Sequence, residues 1–231
     1  RMVTMKPDIA GLHHVVITSI VQNGFAPTIN SLAEHFNCSS KKIRSSLRRL
    51  QEYHGVVLHE SSDEIWIIHP FSLAPTNFLV RQGAQEWWGN CGWCSLGIAA
   101  LVGGRVEIIT TLGADDRQVT IEIEGEDISE PGLLVHFPTP MAKIWENVVY
   151  SCSMMLVFET ESHIDKWCVR HNVSKGDIKR LDELYPFAAE WYGKYLDVNW
   201  KKWTVSEAHE LMDRHGFSGP TWALEDRVGR F

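Results

Sequence analysis

The chain lacks what several protein classes require. No apolar run approaches the ~20 residues needed to span a bilayer, so a membrane protein is not expected. The opening stretch RMVTMKPDIAGLHHVV has no long apolar core followed by a small-residue cleavage site, so no signal peptide is expected. Five cysteines in 231 residues are sparse and odd in number, unlike the even, dense set of a secreted disulfide scaffold. Reduced thiols in a cytoplasmic protein are the better expectation. Internal repeats and low-complexity segments are absent too. What remains is 44% hydrophobic and 22% charged, an ordinary globular composition with room for one large domain or for a small and a medium one.

Charge is unevenly spread. Residues 1–60 hold seven Lys/Arg against four Asp/Glu, while the remainder holds fifteen against twenty-five, within a net charge of −7. The basic first part raises nucleic acid as a partner for that part alone. Its sequence has the matching order of elements. Residues 8–22 repeat apolar residues at helical spacing and stop at Gly24, with Pro27 beyond. Thr28 is placed to cap a short helix in TINSLAEHFN. SSKKIRSSLRRLQEYHG puts Ile43, Leu47 and Leu50 on one helical face, and Gly55 lies past its end. VVLHESSDEIWIIHP then alternates as a hairpin. Three helices and a hairpin are the order of a winged helix-turn-helix. Lys41, Lys42, Arg44, Arg48 and Arg49 fall on its recognition helix, yet cations also solvate the outer face of many packed helices. With no second basic patch after residue 60, DNA binding is not favoured.

Beyond PFSLAPTNFLV, an extended link, the pattern is mixed. SLGIAALVGG reads as a short buried helix ending at Gly103-Gly104, and RVEIITTL, QVTIEIE and LLVHF read as strands. VVYSCSMMLVF, apolar nearly throughout, is predicted as a buried central strand. Residues 161–171 and 174–195 are predicted helical, and a final helix starts at a Thr204/Glu207 capping box and stops at Gly216. The expected fold is α+β: a winged-helix-like domain over residues 1–70, then a small mixed or antiparallel sheet with flanking helices over residues 71–231.

Chemistry concentrates at GNCGWCSLG, residues 89–97, and CxxC permits several readings. Cys91 and Cys94 could join Cys168 and His171 in a zinc site, but the latter two share a predicted helix face that need not point at the loop. A thioredoxin-like dithiol opens a helix after a parallel strand, and none is expected before EWWGNCGWC. The third reading pairs Cys94, at a helix start that favours its thiolate, with Cys152. Against it, buried cysteine commonly packs as a small hydrophobe. Cys91 itself is either a surface-loop residue or an added thiol that donates a proton or binds a metal.

From about residue 10 to 200 the arrangement resembles the organomercurial (alkylmercury) lyases. The resemblance rests on HPFSLAPTNFLV, WCSLGIAALVGG and VVYSCSMMLVFET, and on the Trp-rich tail WKKWTVSEAHELMDRHGFSGPTWAL. It implies an alkylmercury-lyase-like domain at residues 71–231, with Cys94 and Cys152 as the two catalytic thiols. It also implies an organometallic small-molecule substrate and no required cofactor beyond a bound soft ion such as Hg or Cu. One departure stands out: members carry an aspartate three residues after the first cysteine, and here that place holds Gly97.

Protonolysis of a carbon–mercury bond needs soft thiolates on the metal and an acid for the departing carbon. Cys94 and Cys152 meet the first need; Gly97 cannot meet the second, and Asp115 and Asp116 lie in a turn that nothing ties to Cys94. A small void is expected beside the thiols, with mercury binding kept, cleavage weak, and Gly97→Asp restoring turnover. The alternative is a non-enzymatic soft-metal binder or sensor whose winged-helix region contacts DNA or a partner.

Overall fold

In the computed structural model, which describes residues 6–224 and 231, the first three helices end where their punctuation residues lie. The expected domains extend over residues 1–5 and 225–230, which lie outside the described residues. Helix α1 (Ile9–Asn23) starts where Asp8 accepts the Gly11 amide and stops at Gly24, whose φ of 80° suits glycine. Helices α2 (Ile29–His35) and α3 (Ser40–Glu52) are capped by the Thr28 and Ser39 hydroxyls, and α3 buries Ile43, Ser46, Leu47 and Leu50. The hairpin of β1 (Val57–Leu58) and β2 (Ile65–Ile68) follows.

That hairpin does not stand alone. β2 pairs with β3 (Phe71–Ser72), and the ladder continues through β5 (Gln85–Gly89), β4 (Phe78–Gln82), β6 (Arg105–Thr111), β7 (Gln118–Glu124) and β8 (Asp127–Ile128). Every pairing in this eight-stranded sheet is antiparallel. The Trp87 indole N–H donates to the Ile20 carbonyl at 2.7 Å, tying α1 to β5. Helix α4 (Gly92–Val102) leaves β5 directly, and Gly92 through Ala99 are all buried. A strand does therefore lead into the CxxC helix, but its antiparallel partners leave no βαβ unit of the thioredoxin kind.

A second sheet places β9 (Leu134–Phe137) between β10 (Val157–Phe158) and β11 (Asp177–Arg180). Two sequence expectations are corrected here. The apolar run after Asn147 begins as a helix, α5 (Val148–Ser153), and only Val157–Phe158 is strand. Its buried residues, Val148, Ser151 and Cys152, follow helical spacing, and the Asn147 side chain caps the turn by accepting the Tyr150 amide at 3.0 Å. Val149 and Tyr150 are exposed, so the run is apolar without being buried throughout.

The segment 174–195 is likewise not all helix. Asp177–Arg180 pairs with β9 before α7 (Leu181–Tyr192) begins, with the Glu183 carboxylate accepting the Arg180 amide at 3.3 Å. Helix α6 (Glu161–His171) precedes β11, and α8 (Val205–Arg214) starts at the Thr204/Glu207 capping box. α4 packs against the large sheet on one side and α7 on the other, and that sandwich positions the site.

Candidate functional site: a buried cluster of thiols and an imidazole

The turn from β5 into α4 places two sulfurs by helix geometry. Cys91 is the N-cap, and its thiol accepts the Cys94 amide at 3.3 Å. It is fully buried, which excludes the surface-loop reading. Cys94 lies in the first turn, 1% exposed, and its sulfur is 3.4 Å from the Tyr192 hydroxyl on α7. Cys152 arrives from the last turn of α5, 3% exposed, with its sulfur 3.7 Å from Nε2 of His69. The sulfurs of Cys94 and Cys152 and a ring nitrogen of His69 all lie within 4.8 Å of one another. Sixty residues of sequence separation therefore close into one cluster.

The other candidates lie elsewhere. The Cys168 sulfur is 3.6 Å from Nε2 of His136, and His171 stacks on Trp167, so Cys91 and Cys94 do not join them in a zinc site. Asp115 pairs with Arg170, and the Asp116 carboxylate accepts the Arg117 amide at 2.7 Å. Both aspartates line a separate cavity against α6.

The thiols open onto a cavity of about 30 Å³, walled by Trp93, Trp145, Trp191, Tyr192 and Tyr195, with His69 and Lys202 in its lining. A water needs roughly 10–15 Å³ of such space, so the chamber has room for about two waters. Among the described residues, no carboxylate side chain lines it.

The chamber lies beside the thiols but not at Gly97, where the missing acid led us to expect space. A Cβ built on Gly97 would lie 2.2 Å from Cδ2 of Tyr192. The tyrosine ring fills that place, and glycine is what lets α4 and α7 approach so closely.

Electrostatics follow from burial. Desolvation raises Cys91, but hydrogen bonds from the Cys152 and Cys94 thiols and from the Cys94 and Trp93 amides outweigh it, leaving its pKa well below the ordinary thiol value. Burial pushes Cys94 well up. Cys152, hydrogen-bonded to Cys91 and Cys94 and itself buried, also goes up. The helix N-terminus thus favours the thiolate at Cys91, whereas the sequence pattern had suggested Cys94. Burial, with Lys202 nearby, brings His69 down to about 3, so its imidazole is neutral at neutral pH. Burial also drives the Lys202 ammonium well below its usual range; its Nζ donates to the His54 carbonyl at 3.1 Å and sits 4.1 Å from the Trp145 ring centroid.

His69, Tyr192 and Lys202 escaped the sequence reading. His69 had a faint signal, since it opens the quoted HPFSLAPTNFLV. Tyr192 lies 98 residues from Cys94, and no local pattern announces their contact.

The family model described as "MerB: Alkylmercury lyase" matches residues 71–193, a span that holds Cys94, Gly97, Cys152 and Tyr192 and begins after His69. Ten chains of solved structures are similar to this one. One, titled "Crystal structure of the mercury-bound form of MerB2", is 18% identical with a TM-score of 0.63, covering 80% of this chain and 91% of that one. At that identity the likeness is one of fold. No curated protein matches in sequence.

Proposed function

Because the chain belongs to the alkylmercury lyase family, we propose that Cys94 and Cys152 form a two-thiol site for an organomercurial and that protonolysis of its carbon–mercury bond is the reaction. The observation that carries this reading is the meeting of the two buried sulfurs within 4.8 Å at the mouth of an aromatic-walled chamber.

In this reaction Cys94 exchanges its thiol proton for mercury, and the substrate's outgoing ligand leaves with that proton. Cys152 then adds its sulfur. Two sulfur donors enrich the metal and weaken its bond to carbon. As that bond breaks, its electron pair stays with carbon, which takes a proton to become the hydrocarbon. The Cys152 thiol loses the proton that balances the step, and mercury remains on two thiolates. With no carboxylate in the described lining, the O–H nearest the reacting sulfur is that of Tyr192. We assign it the final transfer to carbon, refilled from the thiols. A phenol is a weaker acid than a carboxylic acid, and burial raises Tyr192 further, so slower turnover than with a carboxyl donor is expected. Cys91 adds a third sulfur beside the pair. Residues 1–70 serve as a scaffold that extends the sheet beneath the site, not as a DNA reader. All five thiols are free, as suits a reducing cytoplasm. No helix among the described residues is long and apolar enough to cross a membrane.

The missing carboxylate favours a second reading, a soft-metal binder without turnover. One experiment separates the two: phenylmercury is titrated against the protein while benzene release is followed. Benzene formed over several turnovers supports the lyase. Stoichiometric mercury uptake without benzene supports the binder, and no uptake at all removes both.

A further inference from the structure

We propose that His69 is a third donor that joins Cys94 and Cys152 around the inorganic mercuric ion once the carbon has left. This rests on the two-thiol reading above and extends it to a residue outside the matched family span, which begins at residue 71. The three ligand atoms lie within 4.8 Å of one another, so some point lies within about 2.8 Å of all three. Zinc bonds to sulfur and nitrogen run about 2.0–2.3 Å and those to the larger mercuric ion are longer, so only a small inward closure is needed.

The ring is already turned for the task. Its Nε2 lies 3.2 Å from the Asn90 amide nitrogen and 3.7 Å from the Cys152 sulfur. With Asn90 donating to it, Nε2 is the unprotonated nitrogen, and binding a metal exchanges the Asn90 hydrogen bond for the metal.

Charge distinguishes His69 from the neighbouring Cys91 as the third donor. Two thiolates cancel the charge of a mercuric ion, and a neutral imidazole leaves that balance intact. Cys91, whose thiolate its neighbours' hydrogen bonds favour, is not among the ligand atoms gathered within 4.8 Å, and a third thiolate on the metal would leave it a net negative charge.

Coordination also separates product from substrate. While carbon is attached, it and the two sulfurs already occupy three positions on mercury. The imidazole enters the place that carbon vacates, so it holds the product more than the substrate.

The test uses the full chain. Purified wild type, His69→Gln and His69→Ala are loaded with Hg²⁺ or with phenylmercury, and transfer to a competing dithiol is followed by the thiolate–mercury absorption. Circular dichroism checks that each variant is folded. Both His69 variants are expected to release Hg²⁺ at least about tenfold faster, by analogy with the loss of supporting groups around metals, with phenylmercury release, read before benzene forms, unchanged. X-ray absorption of mercury-loaded wild type gives a reading that needs no variant: one nitrogen beside two sulfurs is expected. Two sulfurs alone, three sulfurs, or equal Hg²⁺ release from wild type and variants would overturn the role of His69 and leave the thiol pair standing. Failure of wild type to bind Hg²⁺, or binding unaffected by Cys94→Ser, would overturn the thiol pair and this proposal together.

Discussion

Helices α3 and α4 make opposite uses of their side chains. α3 buries one stripe and turns Lys41, Lys42, Arg44, Arg48 and Arg49 outward, as a recognition helix would. Yet two of those cations are committed within the fold. Arg48 grips the Asp63 carboxylate with Nε at 3.0 Å and Nη2 at 2.8 Å, and Arg44 reaches the same group at 3.5 Å. α4 carries no charged residue and is buried around its circumference from Gly92 to Ala99. Cys94 sits there, on the helix with no charge to advertise it, and Cys152, His69 and Tyr192 reach it from other elements. Desolvation and close packing, more than surface charge, shape this cluster.

The sharpest way to break that comparison is to remove one sulfur from α4 and, separately, one cation from α3. Cys94→Ser replaces a soft donor with a hard hydroxyl. We expect Hg²⁺ affinity to fall by at least about a hundredfold and benzene release from phenylmercury to stop. Arg49→Ala should leave both unchanged. Competition titration against a dithiol measures the first effect and product assay the second. Equal losses in the two variants would mean that α3 belongs to the site.

Next in size is Gly97→Asp. The sequence alone suggested that it would restore an acid in a void, but the Tyr192 ring occupies that space. A Cβ 2.2 Å from the ring forces α4 and α7 apart, and the carboxylate would be buried without a designed partner. Overpacking of this kind costs about 1–3 kcal/mol, with a similar addition for the polar group. The urea midpoint should fall and turnover should not rise. Adding Tyr192→Ala to Gly97→Asp should recover part of the stability, because the two changes share one space. A stable Gly97→Asp protein with faster turnover would show that the ring yields readily and that the missing acid was the only defect.

Tyr192→Phe is a smaller change. It keeps the ring between the helices and deletes only the hydroxyl beside Cys94. Lost hydrogen bonding should cost about 1 kcal/mol of stability. Positioned proton transfer contributes about 10²–10⁴ in rate, so a fall in kcat of roughly a hundredfold is expected with mercury stoichiometry intact. An unchanged kcat would move the proton transfer to a thiol.

How far the sequence announced all this follows the same contrast. α3 was legible because one face is apolar and the other charged, and the signals that bound it, the Ser39 cap and Gly55 past its end, are local. α4 was legible as buried, but a helix buried on every side has no period to say which residues face which neighbour. Cys94 and Cys152 were found through family resemblance, and the small void at Gly97 was inferred without knowing that α7 crosses there. Asn147 as a cap was overlooked, so β-branched Val148 and Val149 suggested a strand where α5 forms. β11 is a strand because β9 offers it a partner, which helix propensity within 174–195 does not reveal. His69, Tyr192 and Lys202 reach the chamber from distant points of the chain, and no local spacing carries such contacts.

The smallest effect tests the charged side of the comparison. Asp63 sits in the hairpin turn with φ of 58°, a conformation that asparagine also tolerates, so Asp63→Asn removes the charge with little backbone cost. Arg48, foremost, and Arg44 hold the Asp63 carboxyl below its usual range, so the pair is intact at neutral pH. Solvent screens such exposed pairs, so the change in stability should be small. Freeing two guanidinium groups should strengthen weak, sequence-independent DNA binding at low salt. It should also steepen the salt dependence by up to about 0.9 per phosphate newly contacted. For wild type we expect no sequence-specific shift at physiological salt. A specific shift that disappears when Lys42 and Arg48 are neutralised would make α3 a reader of DNA. Residues 1–70 would then have a function of their own beside the thiol site.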